Sequence, residues 1–214
     1  MNAIIIPAYN EEKHIGTVVR KAKQHGTVIV VNDGSKDNTS SVAKKAGAIV
    51  LEHCVNLGKG NALKTGCDYA YRERFKNIVV MDADGQHLPK DIPRFLEALK
   101  KVDIVYGSRE HSGTDPLAMR LGNKFFTLFT RVLFGVRVED TQSGFRAWKR
   151  ATYKKIRWSS TGYAVESEII YRARHLKYKE ITIPRIYLDE VKGTTPLDGI
   201  PIALAMIRWK LFGG

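Results

Sequence analysis

The chain has 214 residues, 43% hydrophobic and 27% charged, which predicts one folded globular domain and excludes a disordered or collagen-like polypeptide. No apolar run is long enough to span a bilayer, no signal-peptide pattern is present, and Cys54 and Cys67 lack the spacing of a zinc site or a disulfide scaffold, so we expect a cytosolic protein. The 35 lysines and arginines against 22 acidic residues give a net charge of +13, which predicts an anionic partner: nucleic acid, a phosphorylated small molecule or an anionic membrane surface.

The first half of the chain alternates short β-branched runs with helix-sized spacers. The runs, which we interpret as buried strands, are residues 3–6, 28–31, 49–51, 78–81 and 104–106. The spacers predict helices at residues 15–22, from 35–37 to 47, at 60–71 and at 89–99. This alternation favours an α/β fold with a mainly parallel sheet, whose ligands bind beyond the carboxyl ends of the strands.

The alternation stops after Gly107. Residues 110–116 predict a mobile loop, and the segments after it predict a helix at 117–134, strands at 145–149 and 179–184, and helices at 163–175 and 200–212. In the helix at 117–134, basic residues lie on one side and apolar residues on the other. Such a helix either packs its apolar face into the protein core or lies in a membrane interface, and the helix at 200–212, which ends in Arg208, Trp209 and Lys210, presents the same two alternatives.

Two closely spaced carboxylates, Asp82 and Asp84, follow the apolar run at 78–81 directly. Hard oxygen ligands suit Mg²⁺ or Mn²⁺ completed by substrate phosphates, and Gln86 offers a third oxygen. The alternative is a polar turn that caps the next helix, and His87 is expected to be a loop histidine rather than a ligand.

Two further loops carry candidate binding residues. Asp33, in the turn after the second strand, could accept a hydrogen bond from a ribose hydroxyl or a base N–H. Lys59 lies between two glycines in a loop that suits contact with phosphate but lacks the spacing of a Walker A motif.

Six segments together occur in the order and spacing of the family 2 glycosyltransferases: residues 7–12, 32–35, 56–60, 82–87, 107–109 and 140–146. The combination most closely resembles the branch of polyprenyl-phosphate sugar synthases, such as those making dolichyl-phosphate mannose or glucose, and residues 162–168 continue the likeness. The resemblance implies a single domain of the GT-A (Rossmann-like) type, with a nucleotide-sugar half at residues 1–108 and an α+β acceptor half at 109–214 that contains the amphipathic helices.

The resemblance also implies roles for the matching residues. The nucleotide-sugar site would comprise Pro7, Tyr9, Glu11, Asp33, Lys59, Asp82, Ala83 and Asp84, and the Mg²⁺ or Mn²⁺ ligands would be Asp82, Asp84 and Gln86. Arg109 and Arg120 match arginines that face donor or acceptor phosphates. The branch carries a further arginine and lysine that grip the donor diphosphate, but the matching positions here are Glu190 and Pro196. Lys192 or Arg185 could substitute, or the donor or acceptor differs.

The expected reaction is inverting transfer of a hexose from a GDP- or UDP-sugar to a polyprenyl phosphate at the cytoplasmic membrane surface, with Asp84, Arg109, Arg120 and Asp140 as catalytic residues. A phosphate monoester is already anionic at neutral pH and needs no base. A soluble relative acting on a hydroxyl would need one, and Asp140 is the candidate, with a structural role for it as the alternative. A basic nucleic-acid-binding module is the hypothesis from another class, but it leaves Asp82 and Asp84 unexplained, so no nucleic-acid partner is expected.

Overall fold

The computed structural model describes residues 1–110, 117–186 and 196–213, with side chains in these ranges except at 117–120 and 196–198. Within them, seven strands form one sheet: β1 (Asn2–Ala8), β2 (Thr27–Asp33), β3 (Ile49–His53), β4 (Asn77–Val80), β5 (Ile104–Arg109), β6 (Arg146–Lys149) and β7 (Tyr178–Ile183). The α-helices of the described ranges are α1 (Ile15–Ala22), α2 (Thr39–Ala46), α3 (Lys59–Arg72), α4 (Ile92–Ala98), α5 (Leu117–Phe134), α6 (Arg150–Ile156), α7 (Val165–Ala173) and α8 (Pro196–Phe212).

The sheet has the order β3-β2-β1-β4-β6-β5-β7, and only β6 runs antiparallel to its neighbours β4 and β5. The predicted mainly parallel α/β sheet is therefore confirmed. The chain builds outward from β1 in both directions, through β2 on one side and β4 on the other, with Ile4 paired to Val28 and to Val79. Open parallel sheets bind ligands at such a switch point, in the crevice beyond the strands' carboxyl ends. The segments after β1 and β4 are thus the first place to look for a site.

Each face of the sheet is covered by its own set of helices. On one face, α1, α2 and α4 bury apolar side chains such as Ile15, Ala43 and Phe95. On the other, α3 and α5–α8 form a larger core that includes Leu63 and Met206. Fully burying a large apolar side chain such as Ile15, Phe95 or Leu63 stabilises the fold by about 1.5–3 kcal/mol, so packing on both faces holds the sheet and its carboxyl edge in place.

Several element bounds differ from those expected from the sequence. The interpretation of β3 as a buried strand was wrong, because it lies at the sheet edge and is half exposed. Helix α2 begins later than predicted because the Asp37 carboxylate accepts the Thr39 N–H at 3.0 Å, which forms a turn before the helix. The segment expected as one helix at 89–99 is a 3-10 turn, Pro89–Asp91, followed by α4. Helix α6 had no predicted counterpart.

Two other predictions can be compared with the described residues only in part. The loop expected at 110–116 lies almost wholly outside them, since only Glu110 is described. The boundary expected between residues 108 and 109 falls inside β5, and strands from both halves join the same sheet. The division into a donor half and an acceptor half therefore stays a prediction. Among the described helices, none has the length and apolarity that crossing a bilayer requires.

Candidate active site

The turn after β1 is tied by hydrogen bonds to the turn after β2. The backbone N–H of Asn10 donates to Ser35 Oγ at 2.9 Å, and that of Glu11 donates to Thr39 Oγ1 at 2.8 Å. In the reverse direction, the Lys36 N–H donates to Asn10 Oδ1 at 2.9 Å. These bonds make the two turns one wall at the carboxyl end of the sheet.

The residues expected to bind the nucleoside lie along this wall. Pro7 is in β1, and Tyr9, which follows the strand, keeps 43% of its surface exposed. Glu11 and Asp33 are buried, at 8% and 4% exposure. An exposed aromatic ring beside buried carboxylates can stack on a base and accept hydrogen bonds, so the geometry is compatible with the expected role, which stays a prediction.

Asp33 also organises the loop that leads into α3. Its carboxylate accepts the N–H groups of Leu57 and Gly58, both at 2.9 Å. Gly58 has φ +92°, and a Cβ there would lie 2.5 Å from the carbonyl oxygen of Thr161. Only glycine fits this turn without strain. The loop is thus held from two sides and delivers Lys59 to the first position of α3.

Lys59 is the centre of a buried charge cluster. Its Nζ lies 2.7 Å from Asp82 Oδ1 and 2.9 Å from Glu166 Oε1. Burial alone would lower the pKa of Lys59, but the two carboxylates raise it, so the ammonium stays charged. Burial would likewise raise the pKa of Asp82, but the positive charge of Lys59, with His87 and Arg109, lowers it to about 2. Within the described residues, Oε2 of Glu166 is buried and has no hydrogen-bond partner.

The second carboxylate of the pair behaves differently. Burial and the negative charge of Asp82 raise the pKa of Asp84. The Gln86 N–H donates to Asp84 Oδ1 at 2.9 Å, and the Asp82 N–H donates to His87 Nδ1 at 3.1 Å. His87 lies in the loop after β4, as expected, but it is buried, at 5% exposure, and its ring braces the backbone of this segment.

A divalent cation fits the pair. Asp82 and Asp84 repel each other, Asp82 is ionised, and a buried oxygen of Glu166 is unsatisfied nearby, so the local field favours added positive charge. In the described part of the chain, no group of three or more His, Cys, Asp or Glu side chains could hold a metal by itself. A cation here would need oxygens from a substrate, as Mg²⁺ commonly does.

The backbone at Gly144 lies directly against the Asp82 carboxylate. A Cβ on Gly144 would lie 2.5 Å from Oδ2 and 2.8 Å from Oδ1 of Asp82, closer than any side chain can approach. The next residue, Phe145, stacks on Phe95 with ring centroids 4.2 Å apart, and its carbonyl accepts the Gly107 N–H at 2.8 Å. These contacts hold the 144–145 backbone against the carboxylate.

Arg109 and Asp140 form a two-pronged ion pair. Arg109 Nε donates to Asp140 Oδ2 at 2.6 Å, and Nη2 donates to Oδ1 at 2.9 Å. Burial would raise the pKa of Asp140, but the Arg109 guanidinium lowers it. A carboxylate with a lowered pKa and both oxygens engaged is a weak base. Asp140 therefore positions Arg109, whose charge also acts on Asp82.

The structure brings together Lys59, Asp82, Ala83, Asp84 and Gln86, with Arg109 and Asp140 beside them. Arg120 belongs to α5, but its side chain lies outside the described residues, as do Glu190, Lys192 and the side chain of Pro196. No described contact involves the Gln86 side chain, so its role as a ligand stays a prediction.

Two charged residues that had no assigned role complete the cluster. Glu166 belongs to the conspicuous segment at 162–168, which was the available signal for it. Arg146 is 1% exposed and donates to the carbonyl oxygens of Glu166, Thr141 and Ser143 at 2.6–3.0 Å. It joins the 140–146 segment to the start of α7, and its place as the last residue of that segment was the available sequence signal for it.

Residues 3–164 match the family model described as Glycosyl transferase family 2. The chain belongs to this family. It is 32% identical to the UDP-N-acetylglucosamine–dolichyl-phosphate N-acetylglucosaminyltransferase of Methanococcus voltae, over 97% of this chain and 95% of the relative. It is 29% identical to the polyprenol monophosphomannose synthase of Mycolicibacterium smegmatis, over 96% of this chain and 84% of the relative.

The fold is similar to that of glucosyl-3-phosphoglycerate synthase from Mycobacterium tuberculosis, solved with Mn²⁺, uridine diphosphate and phosphoglyceric acid. The TM-score is 0.74 at 20% identity, over 98% of this chain and 78% of that one. The expected GT-A fold and the resemblance to the polyprenyl-phosphate branch are both confirmed. The family is one of enzymes, so the glycosyltransferase hypothesis holds over the nucleic-acid-binding module.

Proposed function

We propose that this glycosyltransferase moves a hexose or N-acetylhexosamine from a nucleotide-diphosphate sugar to a polyprenyl phosphate, with Mg²⁺ or Mn²⁺ and at a membrane surface. The observation that carries the proposal is the Lys59, Asp82 and Glu166 cluster at the switch point of the sheet. The protein is similar, along nearly its whole length, to two enzymes whose names describe transfer to a polyprenyl lipid. The first of these is a UDP-sugar enzyme, which makes UDP the first donor to test.

The donor diphosphate would bind between Asp82 and Asp84 on one side and Lys59 on the other. The two carboxylates would hold the cation, which when bound supplies positive charge to the departing diphosphate. With a cation on Asp82, Lys59 would no longer be the main positive charge beside that carboxylate and could contact a phosphate oxygen. Glu166 would keep the ammonium charged and hold it in position. Arg109 adds a second fixed cation, held in place by Asp140. Charges that are already positioned stabilise the leaving group without reorganisation.

The state of Asp140 favours a phosphate acceptor over a hydroxyl acceptor. Its ion pair with Arg109 lowers its pKa, and such a carboxylate abstracts a proton from a hydroxyl poorly. A polyprenyl phosphate is itself an anionic nucleophile near neutral pH. The Arg109 guanidinium can neutralise some of the repulsion between the acceptor phosphate and the donor diphosphate.

Two exposed apolar stripes support a membrane surface as the place of reaction. Both stripes have the spacing i, i+4, i+7, i+11, and their side chains are 40–70% exposed: Leu121, Phe125, Leu128 and Val132 on α5, and Ile200, Leu204, Ile207 and Leu211 on α8. The inner sides of the same helices pack into the core, as the first of the two alternatives expects, and the exposed stripes leave the outer faces available to a membrane interface. Trp209, near the end of α8, follows the core alternative, since it is buried and stacks on Tyr171.

The charge around the stripes suits an anionic bilayer. Between residues 121 and 134, α5 carries Lys124 and Arg131, both exposed, and no acidic residue. Arg208 and Lys210 are exposed on α8. Exposed apolar side chains flanked by basic ones bind anionic membrane interfaces through both burial and charge.

The first experiment tests donor and metal. Thermal stability is measured with UDP- and GDP-sugars, with and without Mn²⁺, and the donor that stabilises the protein is used for transfer to a polyprenyl phosphate. Asp84→Ala should abolish transfer and leave the melting temperature unchanged or higher, because it removes a repelling charge. The control is Glu97→Ala, an exposed carboxylate on α4. Full transfer in excess EDTA would overturn the metal dependence.

The second experiment tests the acceptor. With polyprenyl phosphate, Asp140→Asn, assayed where circular dichroism shows it folded, should lose much less than the ~10²–10⁴ that removal of a general base costs. Arg109→Ala should lose more than Asp140→Asn does. If Asp140→Asn is inactive while Arg109→Ala turns over normally, the soluble transferase acting on a hydroxyl becomes the better hypothesis.

The third experiment tests the membrane surface. Vesicles containing anionic lipid should sediment the protein at low salt and release it at high salt, because surface charge is screened within a Debye length. Leu128→Ser should weaken sedimentation, whereas Val55→Ser, at an apolar side chain of equal exposure (61%) outside both stripes, should not. Absence of sedimentation under all lipid conditions would remove the membrane from the proposed function.

A further inference from the structure

A buried histidine that the proposed function does not use lies beside Asp33. In the parallel register of β2 and β3, His53 is the partner of Asp33, so the last residues of the two strands present their side chains on the same face of the sheet. His53 Nδ1 lies 2.7 Å from Asp33 Oδ1, and the two side chains are 9% and 5% exposed. On the other side of the ring, Nε2 lies 2.9 Å from Thr65 Oγ1 of α3. The imidazole is therefore held at both nitrogens.

The direction of these two hydrogen bonds follows from the chemistry of the partners. A carboxylate only accepts, so the His53 ring carries its hydrogen on Nδ1 and donates it to Asp33. In the neutral form of the ring, Nε2 is then the acceptor, and the Thr65 hydroxyl donates to it. A ring engaged in this way has one tautomer and one orientation. His53 and Thr65 together thus support the Asp33 carboxylate from behind.

This support limits what Asp33 can bind. Each oxygen of a carboxylate accepts about two hydrogen bonds. Oδ1 already accepts from His53 and from the Leu57 N–H, and Oδ2 accepts from the Gly58 N–H. Within the described ranges these are the only donors to Asp33, so one acceptor position, on Oδ2, is left for a ligand. Uracil presents one N–H to such a carboxylate, whereas guanine presents an N–H and an amino group side by side.

The neighbouring loop keeps the carboxylate in this orientation. Gly34, directly after Asp33, has φ +72°, and a Cβ on it would lie 2.5 Å from the carbonyl carbon of Val55. The turn after β2 therefore packs directly on the loop whose next residues, Leu57 and Gly58, donate to Asp33. A carboxylate fixed from two directions cannot rotate to offer both oxygens to a ligand. A group that is ordered before binding also loses little freedom when the ligand binds.

We propose that His53, supported by Thr65, is a positioning residue that restricts Asp33 to one hydrogen bond from the nucleobase and so selects a uracil nucleotide over a guanine nucleotide. The inference rests on the proposed use of a nucleotide-sugar donor, whose nucleoside site contains Asp33. The N3–H of uracil donates to Asp33 Oδ2. One of the two adjacent N–H groups of guanine would leave water and gain no acceptor here, which weakens its binding. Removing the imidazole frees Oδ1 and lets the carboxylate turn.

The experiment measures the affinity of the full chain for UDP, N3-methyl-UDP and GDP by titration calorimetry, each with Mn²⁺ and without acceptor. The wild type should bind UDP at least about tenfold more tightly than either of the other two. His53→Ala should weaken UDP binding about tenfold and leave N3-methyl-UDP binding unchanged, because the methylated base has no N–H to offer. All three nucleotides share the ribose and the diphosphate. Equal weakening of all three would therefore show a general loosening of the loop before Lys59 and would overturn the proposal.

Two further variants and a control complete the test. His53→Asn, whose amide nitrogen can replace Nδ1 as the donor to Asp33, should restore most of the UDP affinity. Thr65→Val keeps the shape of the side chain and removes the hydroxyl, so it should reduce the preference for UDP even if His53→Ala does not fold. His175→Ala, at an exposed histidine after α7, should bind all three nucleotides as the wild type does.

The inference and the proposed function fail on different results. Tighter binding of GDP than of UDP by the wild type would overturn the selection by His53, and transfer to a polyprenyl phosphate could still be measured with a GDP-sugar. Binding of UDP with the expected dependence on His53, but without transfer from any UDP-sugar to a polyprenyl phosphate, would contradict the proposed function and support the inference.

Discussion

Replacing Gly144 by alanine tests whether the position of the Asp82 carboxylate controls catalysis. The backbone of Gly144 does not need a positive φ, so alanine perturbs the site through contact alone. Its Cβ would lie 2.5 Å from Asp82 Oδ2, and an ordinary contact begins at 3.4 Å, so the carboxylate must move by roughly 0.9 Å. A misplacement of about 1 Å in a reacting site costs on the order of 10²-fold in rate. Overpacking of this kind costs about 1–3 kcal/mol of stability.

The assay is the initial rate of sugar transfer as a function of Mn²⁺ concentration, with urea denaturation of the same preparations. Gly144→Ala should lower the maximal rate about 10²-fold and raise the Mn²⁺ concentration needed for half-maximal rate. Gly162→Ala is the matched control, because a Cβ there meets nothing within 4 Å. If the Gly144→Ala variant had the wild-type maximal rate and an unchanged Mn²⁺ dependence, the position of the Asp82 carboxylate would not control catalysis.

Three further substitutions test the charge clusters. Burial alone would raise the pKa of Asp82, but the positive charge of Lys59 contributes most to lowering it to about 2. The ionised carboxylate therefore stabilises the fold by about 2 kcal/mol above pH 4, and this stabilisation is lost as the pH falls through 2. Lys59→Met should show a smaller loss over that window in urea titrations, and an identical pH profile would contradict the coupling. Asp140→Asn should lower the free energy of unfolding by about 3–5 kcal/mol, because Arg109 stays buried without its carboxylate. The double variant Arg109→Met with Asp140→Leu should recover most of this free energy. A double variant as unstable as Asp140→Asn would contradict the importance of the ion pair. Glu168→Gln should lower the free energy of unfolding by about 2–3 kcal/mol, because the buried Glu168 carboxylate accepts several charge-assisted or backbone hydrogen bonds. Thermal denaturation measures the loss, and an unchanged melting temperature would refute the prediction.

The sequence by itself determined the class of fold and the approximate place of the site. Buried parallel strands read as short β-branched runs, and the period of the spacers identifies helices, so these elements needed no tertiary information. Asp82 and Asp84 follow such a run directly, which places them at the carboxyl end of a strand whatever the strand order is. The order and spacing of the six segments then indicated the family, because their combination is far more specific than any one of them.

Only the tertiary structure decided how the charged residues are paired. Lys59 and Glu166 are 107 positions apart, and Arg109 and Asp140 are 31 apart, so no local pattern indicates that either pair is in contact. The short antiparallel strand β6 brings the 140–146 segment back between β4 and β5, which makes Asp140 the partner of Arg109 rather than a free base. The same holds for α5 and α8: the sequence gives the apolar positions, but which of them face the core depends on the neighbouring helices. Periodicity reports one element at a time, whereas charge pairing and burial are properties of several elements packed together.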